Sequence, residues 1–180
     1  MQIELSFNRR RVGSFEELLR CFPASALASP MRSTVPLLQF WHWPEKRIIA
    51  LMHAIGAPEA SAVELAFEYP TAVREGRGKH SFTDLMGITD AAAVAIEAKY
   101  TEPQYESVAS WLGPQPSENR RNVLRGWLEM VDKIVGRWVS PETVSGIPYQ
   151  VIHRTASVCC VDRPIRSVVY QVFASNIPPY

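Results

Sequence analysis

Three residues in this 180-residue chain have types and spacing suited to phosphodiester chemistry: Asp84, Glu97 and Lys99. Glu97 and Lys99 flank Ala98 in the only acid-x-Lys triplet of the sequence. Residues two apart on a strand project from one face, so this carboxylate and ammonium would stand side by side. The triplet ends a nearly continuous apolar run that begins at Ala91, the pattern of a strand covered on both faces. Asp84 lies in the preceding segment, Phe82-Thr83-Asp84-Leu85-Met86-Gly87-Ile88, and Thr89-Asp90 supplies a turn between the two. Pairing of these segments as a hairpin brings Asp84 alongside Glu97 and Lys99. Two carboxylates, helped by the carbonyl of Ala98, are hard oxygen donors of the kind Mg²⁺ or Mn²⁺ takes. Such an ion polarises a phosphoryl oxygen and acidifies a bound water. A nearby ammonium orients that water and offsets charge building on the phosphate. Without a cation the paired carboxylates would repel each other. The plainer alternative is that Glu97 and Lys99 are strand-end charges and Asp84 caps a turn.

The elements that would position these residues can be read along the chain. Ser14-Phe15-Glu16-Glu17 has the form of a capping box, with Phe15, Leu18 and Leu19 on the apolar face of a short helix. Residues 22–36 carry Pro23, Pro30 and Pro36 and read as an irregular connection. Phe40-Trp41-His42-Trp43 reads as a core plug or helix anchor before it reads as a base-stacking platform. Pro44 suits the first position of a helix running to Ile55, stopped by Gly56 and Pro58. Val63, Leu65, Phe67 and Tyr69 alternate with other residues and predict a strand over 62–69, followed by the strands over 82–88 and 91–100. A short helical segment spans 104–112, and a Gly113-Pro114-Gln115-Pro116 break follows. Ser117 caps a helix to Val135, Pro148 starts another reaching Cys160, and 167–173 is a last strand. No closing helix follows before Pro178-Pro179-Tyr180. The expectation is a single α/β domain. Residues 1–43 form an N-terminal helix and irregular extension, and residues 44–173 a core of about four strands in a mixed sheet flanked by helices.

Asp84 followed by Glu97-Ala98-Lys99, in an α-β-β-β-α-β order, resembles the PD-(D/E)xK or restriction-endonuclease-like nuclease superfamily over roughly residues 44–173. The resemblance is to bacterial members in particular. It implies that Asp84 and Glu97 ligate Mg²⁺ or Mn²⁺ together with the Ala98 carbonyl, and that Lys99 orients the water. It further implies an additional acid, for which Glu64 and Glu68 are the candidates and Glu45 a weaker one. A polar residue on the helix after the core strands is also implied, a place that Gln150 or His153 would take. Thr83 stands where the motif's proline would be, and the helices beyond Lys99 are longer than the minimal core. The activity implied is metal-dependent hydrolysis of nucleic acid, DNA first, in restriction, repair or defence, with a homodimer as the form that cuts both strands. A catalytically silent relative that binds nucleic acid or a protein is the second reading. Action on another phosphate compound is a third.

Composition narrows the field without choosing among these. An apolar share of 47% and a charged share of 21% are those of a globular domain, and disorder is excluded as the dominant state. The net charge of +1 supplies no global field toward nucleic acid, so any such affinity has to come from local patches. Three stretches concentrate basic residues, 8–11, 74–80 and 118–121, each of which alone reads as a solvated turn. Gly76-Arg77-Gly78-Lys79 lacks the spacing of a phosphate-binding glycine loop. Cys21, Cys159 and Cys160 form neither a disulfide framework nor a zinc pattern, and the adjacent pair reads as small core residues. His42, His53 and His80 have no metal-ligand spacing. No apolar run approaches the roughly 20 residues of a membrane span, and no apolar signal core opens the chain, so a cytoplasmic protein is expected.

Overall fold

The computed structural model describes residues 1–29, 32–101 and 106–173. Six strands form one mixed sheet: β1 Gln2–Phe7, β2 Arg10–Val12, β3 Ala62–Thr71, β4 Ser81–Ile88, β5 Ala92–Lys99 and β6 Ile165–Val172. The spatial order is β2-β1-β3-β4-β5-β6. β3, β4 and β5 make an antiparallel meander, while β6 returns parallel to β5 and β1 lies parallel to β3.

The sheet thus has two strands more than the sequence reading gave it, and both lie in the stretch read as an extension. Ile3, Leu5 and Phe7 alternate with polar residues and carry the strand signal for β1. The two-residue loop Asn8-Arg9 has φ of 48° and 64°, the positive values that a tight hairpin requires. Arg10 and Arg11, read as part of a solvated turn, instead form an edge strand in which Arg11 pairs with Glu4 at 3.0 Å. Charge on an edge strand also discourages further pairing.

The irregular connection over 22–36 also needs correction. α1 Phe15–Cys21 is capped by Ser14, whose side chain accepts from the Glu17 amide as the capping box predicts. Two short helices follow, α2 Ala24–Leu27 and α3 Thr34–Trp41. Pro23 stands at the start of α2 and Pro36 in the first turn of α3, where a missing N–H costs nothing; Pro30 lies outside the described residues. α4 Glu45–Ala54 begins after Pro44 as expected. Within the aromatic cluster Trp41 is the buried plug, 2% exposed, with its indole N–H donating to Gln171 at 2.9 Å, and Phe40 packs beside it. Trp43, at 71%, faces solvent.

Alternation along the strands divides the helices between two layers. Val63, Leu65 and Phe67 of β3, Leu85 of β4 and Val94 and Ile96 of β5 join one core with Leu18, Leu38, Trp41, Ile48 and Met52 of α1, α3 and α4. Ala66, Met86, Ala93 and Ala95 point to the other face and pack with Val158. That second face is covered by α6 Glu118–Val135 and the crossover helix α7 Tyr149–Cys159, preceded by the short α5 Val108–Leu112. Residues 106 and 107, part of the expected 104–112 helix, precede α5, and 104 and 105 fall outside the described residues. By the same alternation Asp84, Glu97 and Lys99 belong to the face under α7.

Cys159 is half-buried and Cys160 exposed, so the cysteine pair is not the core element expected from its composition. No helix among the described residues is long and apolar enough to cross a membrane. The segment 174–180, including Pro178-Pro179-Tyr180, lies outside the described residues.

Candidate active site

Register brings the expected residues together. Leu85 pairs with Ile96 across β4 and β5, which sets Asp84 opposite Glu97 at the end of the ladder. The Ala98 amide leaves the backbone ladder there and donates to Asp84 Oδ2 at 2.8 Å. Ala98 therefore meets Asp84 through its N–H, while any service as an ion ligand would fall to its carbonyl. Lys99 Nζ donates to Glu97 Oε1 at 3.1 Å, as two residues on one strand face can.

The crossover helix completes the cluster from above. Gln150 and Arg154 lie one helical turn apart and reach down to the sheet. Gln150 Nε2 donates to Glu97 Oε1 and Arg154 Nε to Glu97 Oε2. Glu97 is 2% exposed and Arg154 5%, so this is a desolvated ion pair, stabilised only because each partner's remaining groups are also bonded. Arg154 Nη1 donates to Ser81 Oγ at 2.6 Å and to His153 Nδ1 at 3.1 Å. Ser81 Oγ in turn donates to His153 Nδ1 at 2.9 Å. With Nδ1 accepting, the ring proton of His153 sits on Nε2. Burial, with Arg154 and Lys99 nearby, pushes the His153 pKa down to about 3, so the ring is neutral at physiological pH.

Glu68 joins from β3. The β3–β4 pairing sets it across from Asp84, between the pairs Phe67–Leu85 and Tyr69–Thr83. Its φ of 48° is a left-handed conformation that few non-glycine residues adopt, and it falls at the point where the ladder is interrupted. Burial raises its pKa, Arg154 opposes this, and Glu97 adds to it. Asp84 is shifted most: burial first, then the charge of Glu97, raise it to about 7 against the pull of Arg154 and the Ala98 amide. Glu64 is not part of the cluster. It sits near the start of β3 opposite Ile88 and accepts from Ser6 at 2.6 Å. Four strand residues separate it from Glu68, about 13 Å at the usual rise. Glu45, exposed in the first turn of α4, takes no part either.

These carboxylates suit a hard divalent cation in donor chemistry. Asp84 Oδ1 has no hydrogen-bond partner among the described residues, and the raised pKa of Asp84 marks negative charge that an ion would relieve. No group of three or more His, Cys, Asp or Glu residues among the described residues is arranged to hold a metal. An ion here would rest on Asp84 and Glu97, and Mg²⁺ is commonly held by one or two carboxylates with water and substrate phosphate filling the rest.

In sequence, Tyr149-Gln150 with His153-Arg154 at helical offsets allows either a phosphate contact or packing against the sheet, and nothing singles out Ser81. Gln150 and Arg154 at positions i and i+4, beside the apolar Ile152 and Ala156, carry the signal for an inward-facing polar stripe. The three basic stretches also divide. Arg9 packs over the Tyr69 ring at 4.8 Å and donates to the Pro70 carbonyl, whereas 74–80 and 118–121 line one cleft with Gln150 and Arg154. Asn119 joins these two, its Oδ1 accepting from the Arg77 amide at 2.6 Å and its Nδ2 donating to the Arg77 carbonyl at 2.9 Å. Gly126 lets the loop lie flat on α6, since a Cβ there would stand 2.8 Å from the Glu75 nitrogen. Gly126→Ala is therefore expected to destabilise by about 1–3 kcal/mol in urea unfolding, although Ala normally stabilises a helix interior by about 1 kcal/mol. A gain would mean that the loop is not seated there.

No curated protein and no solved structure matches this chain. A family profile described as "Domain of unknown function (DUF6946)" matches residues 14–177, which include every residue of the cluster. The chain belongs to the DUF6946 family.

Proposed function

We propose that this protein is a divalent-metal-dependent nuclease of the restriction-endonuclease-like type, with DNA as the first substrate to test. The observation that carries the reading is the convergence of Asp84, Glu97 and Lys99 at the end of a β3–β4–β5 meander, under a crossover helix leading to the parallel β6. This is the α-β-β-β-α-β arrangement that the sequence pattern implied.

Asp84 and Glu97 would hold the ion. When bound, it would polarise a phosphoryl oxygen and lower the pKa of a coordinated water. Arg154 and Gln150 fix the Glu97 carboxylate and favour its charged form. The Ala98 amide orients Asp84, and Lys99 presents an ammonium on the same strand face to offset developing phosphate charge. Neutral His153, with its Nε2–H uncommitted among the described residues, offers a donor beside the cluster.

A second reading, a silent relative that only binds, is favoured by one observation: both oxygens of Glu97 already accept hydrogen bonds. Incubation with labelled single-stranded DNA, duplex DNA and RNA in Mg²⁺ or Mn²⁺ separates the two. Cleavage is expected to fall at least about 100-fold in Asp84→Ala and in Lys99→Ala, the scale of losing a principal transition-state stabiliser. Undiminished cutting by Lys99→Ala would end the nuclease assignment, and no cutting by the wild type would favour the silent relative. Because protons compete with metal at Asp84, apparent Mn²⁺ affinity is expected to rise by up to about tenfold per pH unit below pH 7 and to level off above it.

A further inference from the structure

Beside the carboxylate cluster lies a cleft of about 510 Å³ between the 73–82 segment, α6 and the start of α7. Its lining includes Arg77, Lys79, Arg120 and Arg154 and, among the described residues, not one Asp or Glu. In a chain of net charge +1 that is a marked local excess of positive charge. Arg154 is committed to Glu97, but Arg77, Lys79 and Arg120 have no acidic partner among the described residues. Arg120 is held in place by donating to the carbonyls of Trp111 at 2.8 Å and Leu112 at 3.3 Å.

The rest of the lining is aromatic. Trp111 and Tyr149 stack with ring centroids 3.9 Å apart and planes at 7°, and the Trp127 indole N–H fixes the Tyr149 hydroxyl at 3.0 Å. Phe82 stands exposed at the edge of the cleft. Gln150, 2% exposed, also borders this region, and its Oε1 is buried without a hydrogen-bond partner among the described residues. Cations without acidic partners among the described residues, together with aromatic rings, fit a ligand bearing a phosphate and a flat ring. An acidic peptide would use the cations and leave the rings idle.

We infer that this cleft takes an unstacked nucleotide of a single strand, so that the protein engages single-stranded segments in preference to continuous duplex. Paired bases are stacked inside a duplex and cannot enter a pocket of this size, whereas a single strand offers its bases to aromatic side chains. The loop carrying Arg77 and Lys79 is locked onto α6 by Asn119, so these cations are placed before any ligand arrives. Only the description of the strand as substrate rests on the nuclease reading; binding is separate, and Gln150 and Arg154 join the cleft to Glu97.

The test is fluorescence anisotropy of a labelled twelve-nucleotide oligothymidylate, in EDTA at about 50 mM salt, where electrostatic contacts are readable. Competitors are the same oligonucleotide in duplex form, thymidine monophosphate and polyglutamate. Single strand is expected to bind at least about tenfold tighter than duplex, with a further loss of about tenfold in Trp111→Ala, the scale of one stacked base. Arg77→Ala with Lys79→Ala, both exposed and safe for folding, should weaken binding and lower the salt slope by about 1.4. Equal affinity for duplex, displacement by polyglutamate at equal charge, a monophosphate binding as tightly as the strand, or no effect of the double variant would each overturn the inference. A strand that binds but is never cut would count against the nuclease reading alone.

Discussion

Replacing Arg154 with Met is expected to destabilise the protein by about 3–5 kcal/mol, the cost of leaving a buried carboxylate without its charged partner. Arg154 is the one guanidinium that reaches Glu97, and it also bonds Ser81 and His153. Its loss leaves Glu97, among the described residues, with only Lys99 and Gln150. Denaturant unfolding at pH 7.5 measures the change. The cause is isolated by the double variant Arg154→Met with Glu97→Gln, which should recover a large part of the loss because no charge is then stranded. Arg154→Lys should restore little, since one ammonium cannot span Glu97, Ser81 and His153 together. A loss below about 1 kcal/mol in Arg154→Met would mean that the pair is solvated and does not organise the cluster.

The second large effect has the opposite sign. Asp84→Asn is expected to stabilise the protein at pH 8, by an amount on the order of a few kcal/mol. The folded protein holds the Asp84 proton up to about pH 7, whereas an unfolded chain releases it near 3.8. Between these values the native state binds more protons than the unfolded state, so the contribution of this group to stability falls as pH rises. Above pH 7 the carboxylate is ionised in both states and the full cost of holding it beside Glu97 remains. Asparagine removes that charge and keeps an oxygen for the Ala98 amide. Thermal melts at pH 5 and pH 8 should therefore show the variant's margin over the wild type growing clearly toward the higher pH. Added Mn²⁺ should raise the wild type and leave the variant unchanged. A variant less stable than the wild type at pH 8 would show that Asp84 is a structural cap.

Much of this arrangement was legible because it depends on local patterns. The 62–69 alternation, the apolar run ending in Glu97-Ala98-Lys99, and the Ser14, Pro44, Ser117 and Pro148 helix starts all lie at their expected places. The two-residue spacing of Glu97 and Lys99 placed both on one face before any pairing was known. What escaped depends on distant partners. β1 alternates visibly, yet its place in the sheet comes from parallel pairing with β3 across some sixty residues of chain. Glu64 and Glu68 share a strand face by period, and only register decided that Glu68 meets Asp84 while Glu64 meets Ser6. Arg154 lies far along the sequence from Glu97, and its role is set by how the crossover helix settles on the sheet. The basic stretches 74–80 and 118–121, a loop and the first turn of α6, read singly as solvated surface; their meaning comes from lying side by side.

The claim that Asp84 and Glu97 form an ion site is tested most directly by titrating Mn²⁺ into the protein at pH 7.5 and following the free ion by electron paramagnetic resonance. No knowledge of the substrate is needed. The account predicts one site in the wild type that is lost in Asp84→Asn, a variant expected to be folded and more stable. Equal binding by the two proteins, or none by the wild type, would contradict it.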